Sequence, residues 1–581
     1  MRMHTNAKSM EIHSIQLKNF KYLFGTIFLV SVWVFPFSDG SSRDALQQIY
    51  ALGVLSSASL LFGLGSISKR FSAIILGASL CVLIAPSPYL GDRIAGASAL
   101  LLFGVSCHFG INIKQKSNAL EWLLIAIVIS AFFNAIEGLL QWFGLVGDLS
   151  PWVVEPENRG IAFGAFRQRN LFATFVCVGA VCTVWLVLKR RLTEPMAWFI
   201  LLVLMFAIAA SGSRTGLLEV LALSGLGALW KKQQAPAITR LMVGQSIILG
   251  LALLTLSKTA SWLEFGFASG VERAAQMGMD GRLTIWSNAI DLIAERPWFG
   301  WGWRETGYGH YVTLFSHHYD VLMDNVHNLP LQLAVEFGLP FSIIFFAVLI
   351  RSFFLAKPWH VEVVKVGGLI QPASDRHFAW AVLLLIVGIH SMLEYPLCYV
   401  RFLFLTGLAV GYVFPTKSHV QVSIDCGYDS LSKLIAKLSS VSLIILSLLA
   451  WQQYLKVLPI YKIPFTNDRG VYRQAMTTAM AGASDSWLFQ AQLDFTTLTL
   501  MEVTSHNAAE IKHLAEKLLH HSAEPRVIQP LLLSLWYLND EAAFRFHAER
   551  FCYAFPTEFK NWSEKYANHP IFQIWSISCN S

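Results

Sequence analysis

Apolar stretches long enough to cross a bilayer recur along most of this chain, and no other property restricts its fold as strongly. A hydrocarbon layer needs roughly 20 apolar residues per helix. Runs that meet or approach this length lie near 20–37, 47–65, 71–86, 94–110, 120–142, 170–188, 196–211, 215–230, 240–257, 336–356, 378–396, 399–414 and 438–456. With 55% hydrophobic residues, 14% charged residues and a mean hydropathy of +0.50, most of the chain is excluded from a water-soluble fold. The expected fold is all-α: a polytopic helical membrane protein of about 13 transmembrane helices, with a long outer loop and a soluble helical domain at its C-terminal end.

The connections differ in charge, and the difference sets an orientation. Segments 66–70, 111–118, 189–194, 231–240, 351–376 and 415–437 are dominated by Lys and Arg, so the positive-inside rule places them in the cytoplasm. The alternate connections then lie outside, and they hold Arg167, Arg169, Arg214, Arg282, Trp303, His327, Glu394 and Tyr395. The first apolar run is flanked by Lys18 and Lys21 and lacks a small-residue cleavage site, so it reads as a retained helix with the amino terminus inside. The net charge of +7 is explained mainly by the inner loops, and no basic stripe interleaved with aromatics suggests nucleic acid. Cys81, Cys107, Cys177 and Cys182 fall in apolar runs and read as small buried hydrophobes. Cys552 and Cys579 lie in the tail, where an oxidising compartment would allow a disulfide.

The linear organisation is then 1–257, N-terminal membrane helices; 258–337, a large outer loop; 338–457, C-terminal membrane helices; and 458–581, a soluble helical domain. Within the loop, Leu283, Trp286, Ala289, Ile290 and Ile293 have helical spacing before a break at Pro297. The run Trp298-Phe299-Gly300-Trp301-Gly302-Trp303 suits a turn at headgroup level, where indole rings settle. In the tail, 469–482, 486–503, 508–521, 527–538 and 541–551 carry helical periodicity and suit short antiparallel helix pairs. A tetratricopeptide-like array is one such arrangement, although no firm period is visible.

The chain has no Walker A loop, no GxGxxG after a strand, no HExxH, no CxxC and no Asp-x-Asp pair, so a bound nucleotide is not the expected energy source. Arg214, in Ser211-Gly212-Ser213-Arg214-Thr215-Gly216, reads either as an interfacial anchor or as an anion clamp, since a guanidinium matches phosphate oxygens bidentately. Arg167, Arg169 and Arg282 offer the same chemistry, and several outer arginines against few outer carboxylates imply an anionic ligand. His327, in Asp324-Asn325-Val326-His327-Asn328-Leu329-Pro330, reads either as a helix-start residue or as a neutral imidazole taking a proton from a hydroxyl. Tyr395 reads as an interface-belt aromatic or a site residue. Glu394, four residues after His390, needs a polar partner at that depth, with an arginine the first candidate. Adjacent helical residues point about 100° apart, so neither His317-His318 nor His520-His521 makes a chelate alone, and no metal is expected.

Gln168-Arg169-Asn170, Ser213-Arg214-Thr215-Gly216, Gly281-Arg282 with Trp286 and 297–302, Val326-His327-Asn328 with Leu331-Gln332, and His390-Ser391-Met392-Leu393-Glu394-Tyr395-Pro396-Leu397 follow one another in an order that resembles the O-antigen ligase and polymerase superfamily. Within it, the chain resembles the bacterial pilin-type (PglL-like) O-oligosaccharyltransferases. The resemblance implies an inner-membrane glycosyltransferase with its loop and tail in the periplasm. Such an enzyme moves a preassembled glycan from undecaprenyl pyrophosphate to a Ser or Thr of a pilin or other periplasmic protein. It implies that His327 is the essential histidine, that Arg214 and Arg282 contact the pyrophosphate, and that Tyr395 belongs to the same site; the chemistry of the residues themselves adds Arg167 and Arg169 as pyrophosphate-binding groups and Glu394 as a catalytic one. Gln168, Asn170, Trp303, Asn328 and His390 are expected to line the substrate. The family's usual proline after the glutamine is Arg169 here.

A polyprenyl pyrophosphate is already a good leaving group, so a displacement at the anomeric carbon, with inversion and without cofactor, metal or ATP, is expected. Arginines would stabilise the departing charge, and His327 would assist the weakly nucleophilic acceptor hydroxyl. Ligation to lipid A core and polymerisation of O-antigen units are rival enzymatic readings. A transporter of polyprenyl-linked sugars is the rival of another class, opposed by spans that read as nearly free of charge.

Overall fold

A computed structural model describes residues 20, 22–37, 45–85, 87–230, 236–267, 270, 272, 280–315, 323–357, 363–366, 369–372, 376–413, 428–464 and 468–566. The membrane-type helices are α1 (Tyr22–Val34), α2 (Ala45–Phe62), α3 (Lys69–Ile84), α4 (Leu90–Gln115), α5 (Ser117–Phe143), α6 (Arg169–Leu188), α7 (Glu194–Ser211), α8 (Arg214–Leu229) and α9 (Pro236–Trp262). After α10 (Asp280–Glu295) and α11 (Thr306–Val312) come α12 (Leu329–Ala356), α13 (Arg376–Leu383), α14 (Val400–Val413) and α15 (Tyr428–Lys462). Eight of these helices are long and apolar enough to cross a membrane, and every apolar run of the sequence falls on a helix. One short hairpin, β1 (Val363–Val366) antiparallel to β2 (Leu369–Pro372), is the departure from helix among the described residues.

Two compact units form from non-contiguous segments: 1–80, 97–277 and 353–451 make the first, and 81–96, 278–352 and 452–581 the second.

In the first unit α6 packs against α5, α7 and α8, and Leu171 through Leu186 are buried without interruption. A helix apolar on every side belongs in such an interior. The segment leading into α6 is tied down by buried amides. Gln141 Oε1 accepts from Phe163 N (2.9 Å) and Gly164 N (2.8 Å), while Asn134 Oδ1 accepts from Ala165 N (3.1 Å). Arg401 on α14 donates to the side-chain Oε1 of Gln47 and lies 4.8 Å over the Phe166 ring. These bonds hold the backbone immediately before Gln168.

In the second unit α12 is broken at Gly338 (φ 82°) beside Pro340. The 297–302 turn lies along the break: Trp301 N donates to Val335 O (2.8 Å), Gly302 N to Glu336 O (3.0 Å) and Leu339 N to Pro297 O (2.8 Å). α10 forms where its periodicity predicts. Its buried face is Ile285, Ala289, Leu292 and Ile293, however, and Leu283 and Ile290 are exposed.

The tail contributes α16 (Arg469–Ala483), α17 (Gln490–Leu500), α18 (Ala508–Leu519), α19 (Pro525–Tyr537), α20 (Glu541–Ala554) and α21 (Pro556–Lys565). Ile511, Ala515 and Leu518 of α18 meet Val527, Ile528, Leu531 and Leu535 of α19 and Phe544, Ala548 and Phe551 of α20, a core that Tyr89 and Tyr311 join. Cys107, Cys177 and Cys182 are buried as expected, but Cys81 is exposed. Cys552 is disulfide-bonded, and Cys579 lies outside the described residues, as do His317 and His318.

Candidate functional site

The nominated residues divide between the units. Arg167, Gln168, Arg169, Asn170, Arg214, His390, Glu394 and Tyr395 belong to the first, and Arg282, Trp303, His327 and Asn328 to the second.

In the first unit, three helix ends build a polar rim. Gln168 is the N-cap of α6, its Oε1 accepting from Leu171 N at 3.0 Å. Ser213 is the N-cap of α8, accepting from Gly216 N (3.1 Å) while its hydroxyl donates to Asn170 Oδ1 (2.7 Å). Asn170 Nδ2 in turn donates to Glu394 Oε1 (3.2 Å). Arg169 and Arg214 stand at the first positions of α6 and α8, and Arg167 (φ 57°) ends the short turn before α6. Two helix N-termini beside guanidinium groups form a region suited to anions. The third end is unusual. α13 passes through a π-helical turn, Leu384–Ile389, and then a 3-10 turn at His390–Met392. Such widened turns recur at functional sites, because they re-aim one side chain. Here the turned residue is His390, which is fully buried, and Glu394 N donates to its carbonyl at 2.8 Å. The Tyr395 ring stacks with Tyr399 at 6.1 Å.

In the second unit, His327 has φ 55°, in a region a non-glycine residue seldom adopts. The strain is held from both sides. His327 N donates to Asn325 Oδ1 (2.8 Å), Val326 N to Gln332 Oε1 (2.8 Å), and Asn328 Oδ1 caps α12 by accepting from Leu331 N (3.2 Å). Gln332 Nε2 donates to Thr306 Oγ1 and to Glu336 Oε1, both at 2.9 Å, and Glu336 Oε1 also accepts from Arg304 N (3.1 Å). The half-buried His327 imidazole therefore projects from a backbone fixed by two helix-start side chains. Trp303 packs against Phe337, 6.0 Å between ring centres, and Arg282 is half-buried on the first turn of α10. His520 and His521 meet carboxylates: Nδ1 of His520 is 2.7 Å from Glu305 and that of His521 is 3.3 Å from Asp92.

Sequence reasoning passed over two groups, Thr174 and Glu219, which join the nominated His390. Thr174, Glu219 and His390 form a fully buried cluster in which Thr174 Oγ1 is 2.7 Å from both Glu219 Oε1 and His390 Nδ1. Glu219 contradicts the reading that the spans are nearly free of charge. A lone carboxyl in an apolar helix is itself a signal of function, and it was visible in the sequence.

The helices and the rim define a multi-pass membrane protein. Residues 199–346 match the family described as O-antigen ligase, and 377–568 match that described as virulence factor membrane-bound polymerase, C-terminal. Over 199–346 the chain is thus similar to the O-antigen ligase family. It is homologous to two proteins of Acinetobacter baylyi. The "General O-oligosaccharyltransferase" is 26% identical over 344 residues, 55% of this chain and 56% of that protein. The "ComP-specific O-oligosaccharyltransferase" is 23% identical over 432 residues, 72% of this chain and 74% of that protein. No solved structure matches the chain.

Proposed function

We propose that this protein is an O-oligosaccharyltransferase of the bacterial inner membrane. It would transfer a preassembled glycan from undecaprenyl pyrophosphate to a Ser or Thr of a pilin or another protein on the periplasmic side. The observation that carries the reading is homology to two O-oligosaccharyltransferases, combined with similarity to the O-antigen ligase family over 199–346.

In this mechanism Arg214, Arg282, Arg169 and Arg167 bind the pyrophosphate and neutralise the charge that develops as the sugar–phosphate bond breaks. His327 takes the proton of the acceptor hydroxyl as its oxygen attacks the anomeric carbon, and the diphosphate leaves with the bonding electrons. Glu394 and Tyr395 complete the catalytic set. Gln168, Asn170, Trp303, Asn328 and His390 orient the glycan and donor, and neither a metal nor ATP is required. His327→Ala is expected to lower transfer by purified enzyme about 10²- to 10⁴-fold, the usual contribution of a positioned base. The broader test is the intact mass of candidate pilins from cells with and without this protein, where a glycan-sized difference is expected. Equal masses with altered surface polysaccharide would favour polymerisation, the reading that the polymerase match over 377–568 supports.

A further inference from the structure

Beneath the rim lies a second tier of hydrogen bonds, two of whose members, Thr174 and Glu219, the proposed mechanism does not use. The upper tier runs from Ser213 at the start of α8 through Asn170 on α6 to Glu394, with distances of 2.7 and 3.2 Å. The lower tier runs from Glu219 on α8 through Thr174 on α6 to His390, at 2.7 Å on either side of the hydroxyl. Both tiers thus cross the same three elements in the same order. Asn170 and Thr174 are four residues apart, which places them one above the other on a single face of α6. His390 and Glu394 are likewise four apart and joined by the 2.8 Å backbone bond from Glu394 N to His390 O.

All three lower members are fully buried, in a bundle where an ionisable side chain is costly to insert. Helix packing alone does not explain this choice, since an apolar trio of similar volume would fill the space more cheaply. The Thr174 hydroxyl has one proton. With that proton directed to Glu219, His390 must donate from Nδ1, so its tautomer is fixed and its ring cannot turn without breaking the chain of bonds.

We propose that Glu219, Thr174 and His390 form a positioning ladder that sets the place of Asn170 and Glu394 on the rim. Thr174 and Glu219 are positioning residues for the glycan-transfer reaction. This assignment rests on the transferase reading, and the test separates the two. Full-length purified wild type, Thr174→Val, Thr174→Ser and Glu219→Gln are compared for kcat, KM and pH profile with a lipid-linked donor and protein acceptor. Thermal midpoints are measured alongside. Thr174→Val keeps the volume and removes both bonds, so kcat is expected to fall about 10- to 100-fold, the scale of an ångström-level misplacement, with KM for the donor little changed. Thr174→Ser is expected to restore transfer, and Glu219→Gln to shift the pH profile of kcat. Wild-type kcat and pH profile in Thr174→Val overturn the ladder, as does equal loss in Thr174→Ser and Thr174→Val.

A second measurement needs no turnover. Solid-state 15N NMR of histidine-labelled protein, with the His390 signal assigned through His390→Asn, is expected to give an Nδ1-protonated ring in wild type and a tautomer mixture in Thr174→Val. An unchanged tautomer overturns the ladder even if wild type proves not to transfer glycan. Absence of transfer by wild type overturns only the transferase reading.

Discussion

Asn170 uses both ends of one amide, accepting from Ser213 and donating to Glu394. Asn170→Asp keeps the bond from Ser213 but sets a second carboxylate against Glu394, whereas Asn170→Ala only removes the link. A hydrogen bond to a charged group contributes about 1.5–3 kcal/mol, so a loss of transfer on the order of 10- to 100-fold is expected for Asn170→Ala. A greater loss is expected for Asn170→Asp, read as kcat/KM. Equal rates for wild type and Asn170→Asp would remove Asn170 from the rim's working set. Sequence made Asn170, Arg214 and Glu394 legible because polar groups at the mouths of apolar helices need a reason to be there. Thr174 was not legible: a membrane helix hides a threonine easily by bonding it to its own backbone, as Thr183 does with Gly179 O at 2.9 Å.

At the scale of elements, the broken helix α12 depends on two glycines. A Cβ on Gly338 would stand 2.4 Å from Trp298 O, and one on Gly300 would stand 2.4 Å from the Glu336 carbonyl carbon, both at positive φ. Gly338→Ala therefore meets a backbone clash in addition to about 1–3 kcal/mol for a positive-φ extended conformation that is essentially confined to glycine. It is expected to lower the thermal midpoint in detergent and to open the 297–302 turn to protease. Gly281→Ala, where a Cβ would meet nothing within 4 Å, serves as the control. Periodicity located α10 but not its inner face. The positions Leu283 and Ile290 satisfy the same helical spacing as the buried ones, and only the packed partners distinguish them. The π turn before His390 was not visible at all, because one extra residue in a turn leaves no compositional trace.

At the scale of the whole molecule, acid should act on the tail. His547 is pushed down to about 4 by burial, with help from the Arg550 and Lys512 charges and opposition from Asp540. Its Nδ1 meets the Tyr311 hydroxyl at 3.0 Å, and burial holds that phenol well above its usual range. The fold thus favours the neutral imidazole, while the unfolded chain binds the proton near pH 6.5. Stability from this residue is complete above pH 6.5 and is lost as pH falls toward 4, by about 3 kcal/mol at pH 4. Hydrogen exchange across α20 between pH 7 and pH 5 is expected to show increased opening that His547→Gln abolishes. A pH-independent opening of wild type would refute it.

The sequence by itself determined that the chain is a helical membrane protein, where its apolar helices run, and which polar residues sit at their ends. Each of these follows from local composition, since lipid tolerates backbone only when its hydrogen bonds close within the segment. Tertiary structure alone decided that 81–96 folds with the loop and tail, and that Tyr89 and Tyr311 close the tail's core. It also decided that Glu219, Thr174 and His390 converge from positions 45 and 216 residues apart in the chain. Such contacts depend on which helix faces become neighbours, and spacing along one strand of sequence carries no record of the partner.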